Sequence, residues 1–311
     1  MPLVGEYALT PDVFDSACYS SAEVCALHLQ ALKEVLIQEG LVRNLRDGDW
    51  ARVFATSGRA WHGRGKELLK KLATQGRMVV AGASSTTVPT TDADWCQEAI
   101  ATHATFALNG IIATNAIASA HRATPIVCAV DRLASAPWWS GRSSSFRLNR
   151  SLADYQAALS LVLRHASHLM LIDPHIDPSV GRYAHIGQLL QGAAARSPAP
   201  KIEVHRVCYR GSGAARQVLT PAQLEATFRQ ALNPALANGP SVEVFVWDDF
   251  HDRYLISNIV GISVPNGFDV ATGRNSRTTW TRLGRDDRDD VQREFDPATR
   301  RHALRARFTV P

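Results

Sequence analysis

The chain has 311 residues, 45% of them hydrophobic and 20% charged, which is long for one ordinary domain and suits two subdomains or one large one. This composition excludes a disordered chain, and a core of this size needs neither metal nor disulfide for its stability. The formal net charge of +5 is either a lean toward anionic partners or a simple solubility margin.

The chain begins "MPLVGEYALTPDVFDS", with neither the basic start nor the apolar core of a signal peptide. No run approaches the roughly 20 apolar residues of a membrane span. The five cysteines, Cys18, Cys25, Cys96, Cys128 and Cys208, are odd in number and contain no C-x-x-C pair. That argues against a disulfide framework and a thiolate zinc site, and a reducing, cytoplasmic compartment is expected. Residues 21 to 39 carry apolar positions at helical spacing, capped by Ser20 or Ser21 and ended by Gly40. A second helix is expected over 62 to 75, stopped by Gly76, with the strand "RMVVAG" directly after it. Its basic face, Arg64, Lys66, Lys70 and Lys71, is either solvated or a nucleic-acid contact. The loop "STTVPTTDAD" leads through an N-cap at Asp92 or Asp94 into the helix "WCQEAIATHATF". "GIIAT" and "TPIVCAV" are short, β-branched and buried in character. The stretch 135 to 151, "SAPWWSGRSSSFRLNRS", is the candidate boundary or surface loop. It separates an N-terminal α/β region, 1–150, from a second domain, 151–311; the first is either a separate subdomain or a degenerate first half of one larger unit. Trp138 and Trp139 either pack on the next helix or face a partner.

From residue 152 the pattern is cleaner. "LADYQAALSLVLRHA" places Leu152, Tyr155, Leu159, Val162 and Leu163 on one side of a helix. The strand "HLMLID" stops at Pro174; the helix "YAHIGQLLQGAAA" and the strand "KIEVHRVCY" follow. Thr220 caps the helix "TPAQLEATFRQALNPAL", with Pro221 at its first position. "SVEVFVWDD" is a strand, and "RYLIS" with "VGISV" forms a hairpin about Ser257–Asn258. Such alternation predicts an α/β layer fold with a mixed sheet. The tail is a charged helix or loop followed by the strand "LRARFTV".

Polar residues gather where these strands end. "HLMLID" leads into Asp173 and "PHIDP", and "EVFVWDDF" leads into Asp248, Asp249, His251 and Arg253. Ligands of open α/β sheets sit beyond the carboxyl ends of strands. Two such strands, parallel and adjacent, bring Asp173, His175, Asp177, Asp249, His251, Asp252 and Arg253 to one crevice. Three chemistries suit that set. One is phosphoryl chemistry, with an imidazole nucleophile or acid/base, an acid fixing its tautomer, and a guanidinium clamp. Another is metal binding through D-P-H-I-D, which matches no sharp zinc or calcium pattern. The third is purely structural pairing of acids with Arg and His.

The run H-x-R-x-x-x-x-N, from His251 through Arg253 to Asn258, resembles the H-x-K-x-x-x-x-D motif of the phospholipase D superfamily. Residues 151 to 272 are similar to the phospholipase D-like C-terminal domain of MIT-domain proteins, through "LIDPHI", "FHDRYLISN" and the Gly-containing turn "PNGFD". The resemblance implies a phospholipase D-like mixed sheet with helices on both faces. It implies a phosphodiesterase or nuclease that uses no cofactor. In it His251 attacks phosphorus, Arg253 and Asn258 occupy the other motif positions, and Asp173 or Asp252 orients the imidazole. His175, Asp177, Asp249 and Asn266 then line the substrate. The sequence departs from the family at Arg253 for Lys, Asn258 for Asp and His175 for Tyr. No second H-x-K occurs, and His121 lacks the spacing. An active site therefore calls for a homodimer that joins two His251 copies. The alternative is a non-catalytic module that binds phosphate in nucleic acid or phospholipid headgroups.

Overall fold

The structure is a computed structural model and describes residues 3–194, 196–211, 213–237, 239–273 and 276–310. It is an α/β protein that divides into two compact units, Val4–Arg142 and the described residues from Ser143 onward with Leu3. The division falls inside the Ser- and Arg-rich stretch. No helix among the described residues is long and apolar enough to cross a membrane.

The first unit is a five-stranded, fully parallel sheet in the order β3-β2-β1-β4-β5. Its strands are β1 (Gly5–Leu9), β2 (Gly40–Asn44), β3 (Met78–Val80), β4 (Gly110–Ala113) and β5 (Val127–Ala129). Its helices are α1 (Ala22–Glu39), α2 (Asp49–Thr56), α3 (Gly63–Thr74), α4 (Asp92–Thr105), α5 (Asn115–Ala120) and α6 (Pro137–Ser140). Helices fill the crossovers, so β1, β2 and β4 are buried along their whole length. Three local readings change. Gly40 opens β2 as well as ending α1, and a Cβ there would lie 2.8 Å from Leu36 Cα. The cap of α4 is Thr91, not Asp92 or Asp94. Its hydroxyl accepts from the Asp94 amide, and the Asp94 carboxylate accepts from the Thr91 amide, a reciprocal capping box. Trp138 and Trp139 pack on Tyr7, at ring-centroid distances of 6.0 and 5.5 Å.

The second unit holds an eight-stranded mixed sheet, ordered β15-β11-β8-β7-β12-β13-β14-β6. Its strands are β6 (Ser145–Asn149), β7 (His168–Ile172), β8 (Lys201–Val207), β11 (Val242–Trp247), β12 (Tyr254–Ser257), β13 (Gly261–Ser263), β14 (Arg277–Arg282) and β15 (Leu304–Val310). A small ribbon pairs β9 (Tyr209–Arg210) with β10 (Gln217–Val218). Its helices are α7 (Leu152–His165), α8 (Ile186–Gln191), α9 (Pro221–Leu236) and α10 (Arg285–Glu294). Met170, Ile172, Phe245 and Trp247 share one buried face with Val291 and Phe295 from α10 and the turn after it. Alternation turns Leu169, Leu171, Ile202 and Val204 to the other face. Two expectations need correction. Strands β7 and β11 are parallel but not adjacent, because β8 pairs with both. Of the helix expected across "YAHIGQLLQGAAA", Ile186–Gln191 is the α-helical part among the described residues, and Ala195 lies outside them.

Candidate functional site

The carboxyl ends of β7, β8 and β11 meet at one edge of the second unit's sheet. Strand β12 runs antiparallel to β7 with Tyr254 opposite Ile172, which delivers Arg253 beside Asp173. Pro174 has no amide hydrogen, so the chain leaves the ladder there and Asp173 turns inward.

Asp173 is fully buried. Its Oδ1 accepts from the His175 amide at 3.0 Å, and its Oδ2 from the Tyr183 hydroxyl at 3.0 Å and the Phe268 amide at 3.1 Å. Arg253 Nε lies 3.6 Å from Oδ1. Gly267 closes over this carboxylate with φ +67°, and a Cβ there would collide with Asp173 Oδ2 and stand 3.2 Å from Arg253 Cδ. The turn is therefore glycine for two reasons, handedness and space. Behind it, Asp269 pairs with Arg150, and its carbonyl accepts from the Tyr155 hydroxyl at 2.7 Å. Burial, reinforced by the charges of Asp173 and Asp269, pushes the Tyr183 phenol far above its ordinary pKa, so it stays a donor.

Around this hub stand Arg253, His251, Asp252 and His175, each at least partly open to solvent. Arg253 keeps 29% of its side chain exposed, and its Nη1 donates to the His251 carbonyl at 3.3 Å. His251 and Asp252 are exposed. His175 is half-buried and meets the Tyr209 ring edge-on at 6.5 Å. Burial lowers its pKa and outweighs the pull of Asp173; Arg253, Arg182 and Arg206 act in the same direction as burial. The imidazole is thus neutral at pH 7.

The other expected residues are engaged elsewhere. Asp177 is buried and accepts from Ser179, from Arg206 at 3.3 Å and from Arg210 at 2.7 Å. Burial alone would raise its pKa, but these donors outweigh it and hold the carboxyl below its ordinary range. Asp249 accepts from the Tyr209 hydroxyl at 2.5 Å and from Arg216 at 3.3 Å, and the Tyr209 bond is the main reason its pKa is lowered. Both carboxylates anchor the ribbon of β9 and β10; Asp177 is buried and closed to a ligand, a correction to its expected role, whereas the Asp249 side chain stays 43% exposed. Asn258 is a second correction. It lies in the β12–β13 turn, at the far end of β12, where its Oδ1 accepts from the Ser167 amide at 2.8 Å and the His168 amide at 3.4 Å. The expected orientation of His251 by Asp173 or Asp252 is a third: among the described residues nothing hydrogen-bonds the His251 ring. Asn266 is exposed in the turn before Gly267.

Arg206, Tyr183 and Gly267 were not among the sequence candidates. Arg206 is only 1% exposed and donates to the carbonyls of Ile176, Val207 and Tyr209 as well as to Asp177. Its signal was an arginine inside an otherwise apolar strand, "KIEVHRV". Among the described residues no group of three or more His, Cys, Asp and Glu side chains is placed to hold a metal ion.

No family model matches the chain, and no curated protein matches it. Among solved structures it is similar to TrmBL2, an archaeal chromatin protein described as showing a novel mode of DNA binding. That similarity covers 78% of this chain and 83% of the other, at 10% identity and a TM-score of 0.29. A likeness at that level assigns neither fold family nor function.

Proposed function

We propose that the second unit is a phospholipase D-like module whose sheet edge binds a phosphate-bearing ligand, in nucleic acid or a phospholipid headgroup. The carrying observation is Arg253: a guanidinium held beside a fully buried carboxylate, partly exposed, and flanked by exposed His251 and half-buried His175. Arg keeps its charge at every physiological pH and offers a planar fork to phosphate oxygens. Asp173 lies at the Nε side of that fork, Nη1 donates to the His251 carbonyl, and 29% of the side chain stays exposed. The absence of an orienting acid at the His251 ring favours binding over turnover. The five free cysteines are in keeping with a cytoplasmic protein.

A hydrolytic reading, in a homodimer, is favoured by one observation: His251 is exposed and open to a second copy. One experiment separates the two. Binding of a labelled single-stranded oligonucleotide and of phosphatidylserine vesicles is measured from low to high salt. Binding by either should weaken steeply with salt, and Arg253→Ala should weaken it by about tenfold, the effect of losing a strong charge-assisted contact. Affinity that ignores both salt and Arg253→Ala would refute the phosphate site. Hydrolysis of bis(p-nitrophenyl) phosphate, lost in His251→Ala, would select the enzyme.

A further inference from the structure

The sheet face that Trp247 and Phe245 share with α10 continues to the amino ends of the strands, and its character changes there. Register sets His168 opposite Lys201, Glu203 opposite Glu243 and Phe245 opposite Arg307. Alternation turns all six to the same side of the sheet. Phe295 and Asp296, just after α10, join these residues around a cavity of about 300 Å3. Small-molecule sites begin at about that size. Its apolar lining is Met170, Phe245 and Phe295, all buried.

Most of the charges here are already paired. Trp247 Nε1 donates to His205 Nδ1 at 3.1 Å, which leaves the His205 proton on Nε2, 3.3 Å from Glu203 Oε2. His168 Nε2 lies 3.3 Å from the same oxygen, and Lys201 Nζ lies 2.5 Å from Oε1. Arg307 pairs with Glu243 through its Nε, and its guanidinium lies 5.0 Å from the Phe245 ring centroid. Two groups keep unused capacity. Among the described residues the outer guanidinium nitrogens of Arg307 meet no acceptor, and 53% of that side chain is exposed. Asp296 is exposed, and its Oδ1 accepts from the Ala298 amide at 2.9 Å. Among the described residues it pairs with no cation. One cavity thus offers a free guanidinium edge, a free carboxylate oxygen and an aromatic lining.

We infer that this cavity binds a small zwitterion with an apolar body, of the aromatic amino-acid class. Its carboxylate meets the outer nitrogens of Arg307, a planar fork that suits carboxylate oxygens. Its ammonium meets Asp296, and its ring lies against Met170, Phe245 and Phe295. Lys201 and Arg307 offset Glu203 and Glu243, so a ligand with only a negative charge would leave Asp296 unopposed. A ligand with only a positive charge would leave the Arg307 edge unused. The site lies at the opposite end of β7 from Arg253 and is independent of the function proposed there.

The test is a titration of 4-fluoro-L-phenylalanine with the full chain, read by the width of its fluorine magnetic-resonance line. Saturable broadening is expected, reversed by L-phenylalanine. The competitors 3-phenylpropanoate and phenethylamine each lack one charge and should act at least about tenfold more weakly. Arg307→Ala and Asp296→Asn should each weaken binding by about tenfold or more, the effect of losing a charge-assisted contact. Both side chains are exposed, so the circular dichroism spectrum should not change. Arg253→Ala should leave binding intact. If a cavity variant does not fold, the competition on the unaltered chain still decides. No saturable broadening, a singly charged analogue that competes as well as L-phenylalanine, affinity unchanged in either folded cavity variant, or loss of binding in Arg253→Ala overturns the inference.

Discussion

Replacing Asp173 by Ala takes the acceptor from three donors at once, the amides of His175 and Phe268 and the Tyr183 hydroxyl, and the counter-charge from Arg253. Breaking a buried, charge-assisted network of this kind costs roughly 3–5 kcal/mol. Asp173→Ala should therefore lower the urea midpoint strongly; a change under about 0.5 kcal/mol, the size of an ordinary surface substitution, would show that the carboxylate is not the hub. Gly267→Ala meets both a positive φ and the Asp173 carboxylate, and is expected to destabilise by roughly 1–3 kcal/mol. Arg253→Ala belongs to a different class. The side chain is partly exposed and its loss opens little of the core, so ligand affinity should fall further than stability.

At the scale of an element, β12 explains why one motif serves two places. A strand advances about 3.3 Å per residue, so Arg253 at its start and Asn258 past its end lie at opposite margins of the sheet. Asn258→Ala is predicted to strip the acceptor from the Ser167 and His168 amides, cost roughly 1–2 kcal/mol, and leave phosphate affinity unchanged. Weakened binding in a variant that is still folded would contradict the separation of these roles. The same scale shows which elements were legible. Helices α1, α3, α4, α7 and α9 appear where apolar spacing puts them, because an i, i+3, i+4 stripe is a local property. Strands β1, β2, β6 and β14 did not stand out. They are short, and "GEYAL", "GLVRN", "SFRLN" and "RTTWTR" mix charge or hydroxyls with few apolar residues. Their strand character comes from pairing with distant neighbours.

Across the whole molecule, the buried histidines and two hydrogen-bonded carboxylates act in one direction with pH, and Asp12, raised by its burial, acts in the other. Burial depresses His175, His185 and His205, so the unfolded chain binds protons first as pH falls through about 6.5, and stability present above that value declines below it. Glu203, bonded by Lys201 and near His168 and His205, is held far below the ordinary carboxyl range against its burial, and Asp177 is also lowered. Their contribution is present above the unfolded carboxyl range and lost below it. The urea midpoint should fall from pH 7.5 to 5 and again below pH 4, near the reference pKa values of about 6.5 and 4; a midpoint that rises on acidification would exclude this assignment.

The α/β class, the alternation of helix and strand after residue 152, and the gathering of polar residues behind "HLMLID" and "EVFVW" follow from the sequence alone. Periodicity, caps and strand-end composition are read within a few residues of one another. Tertiary structure alone decided that β8 separates β7 from β11, that Asp173 is sealed under Gly267, and that Asp177, Asp249 and Asn258 hold loops in place. Each of these depends on which distant segment supplies the donor, and strand order and register are set by contacts far apart in the chain.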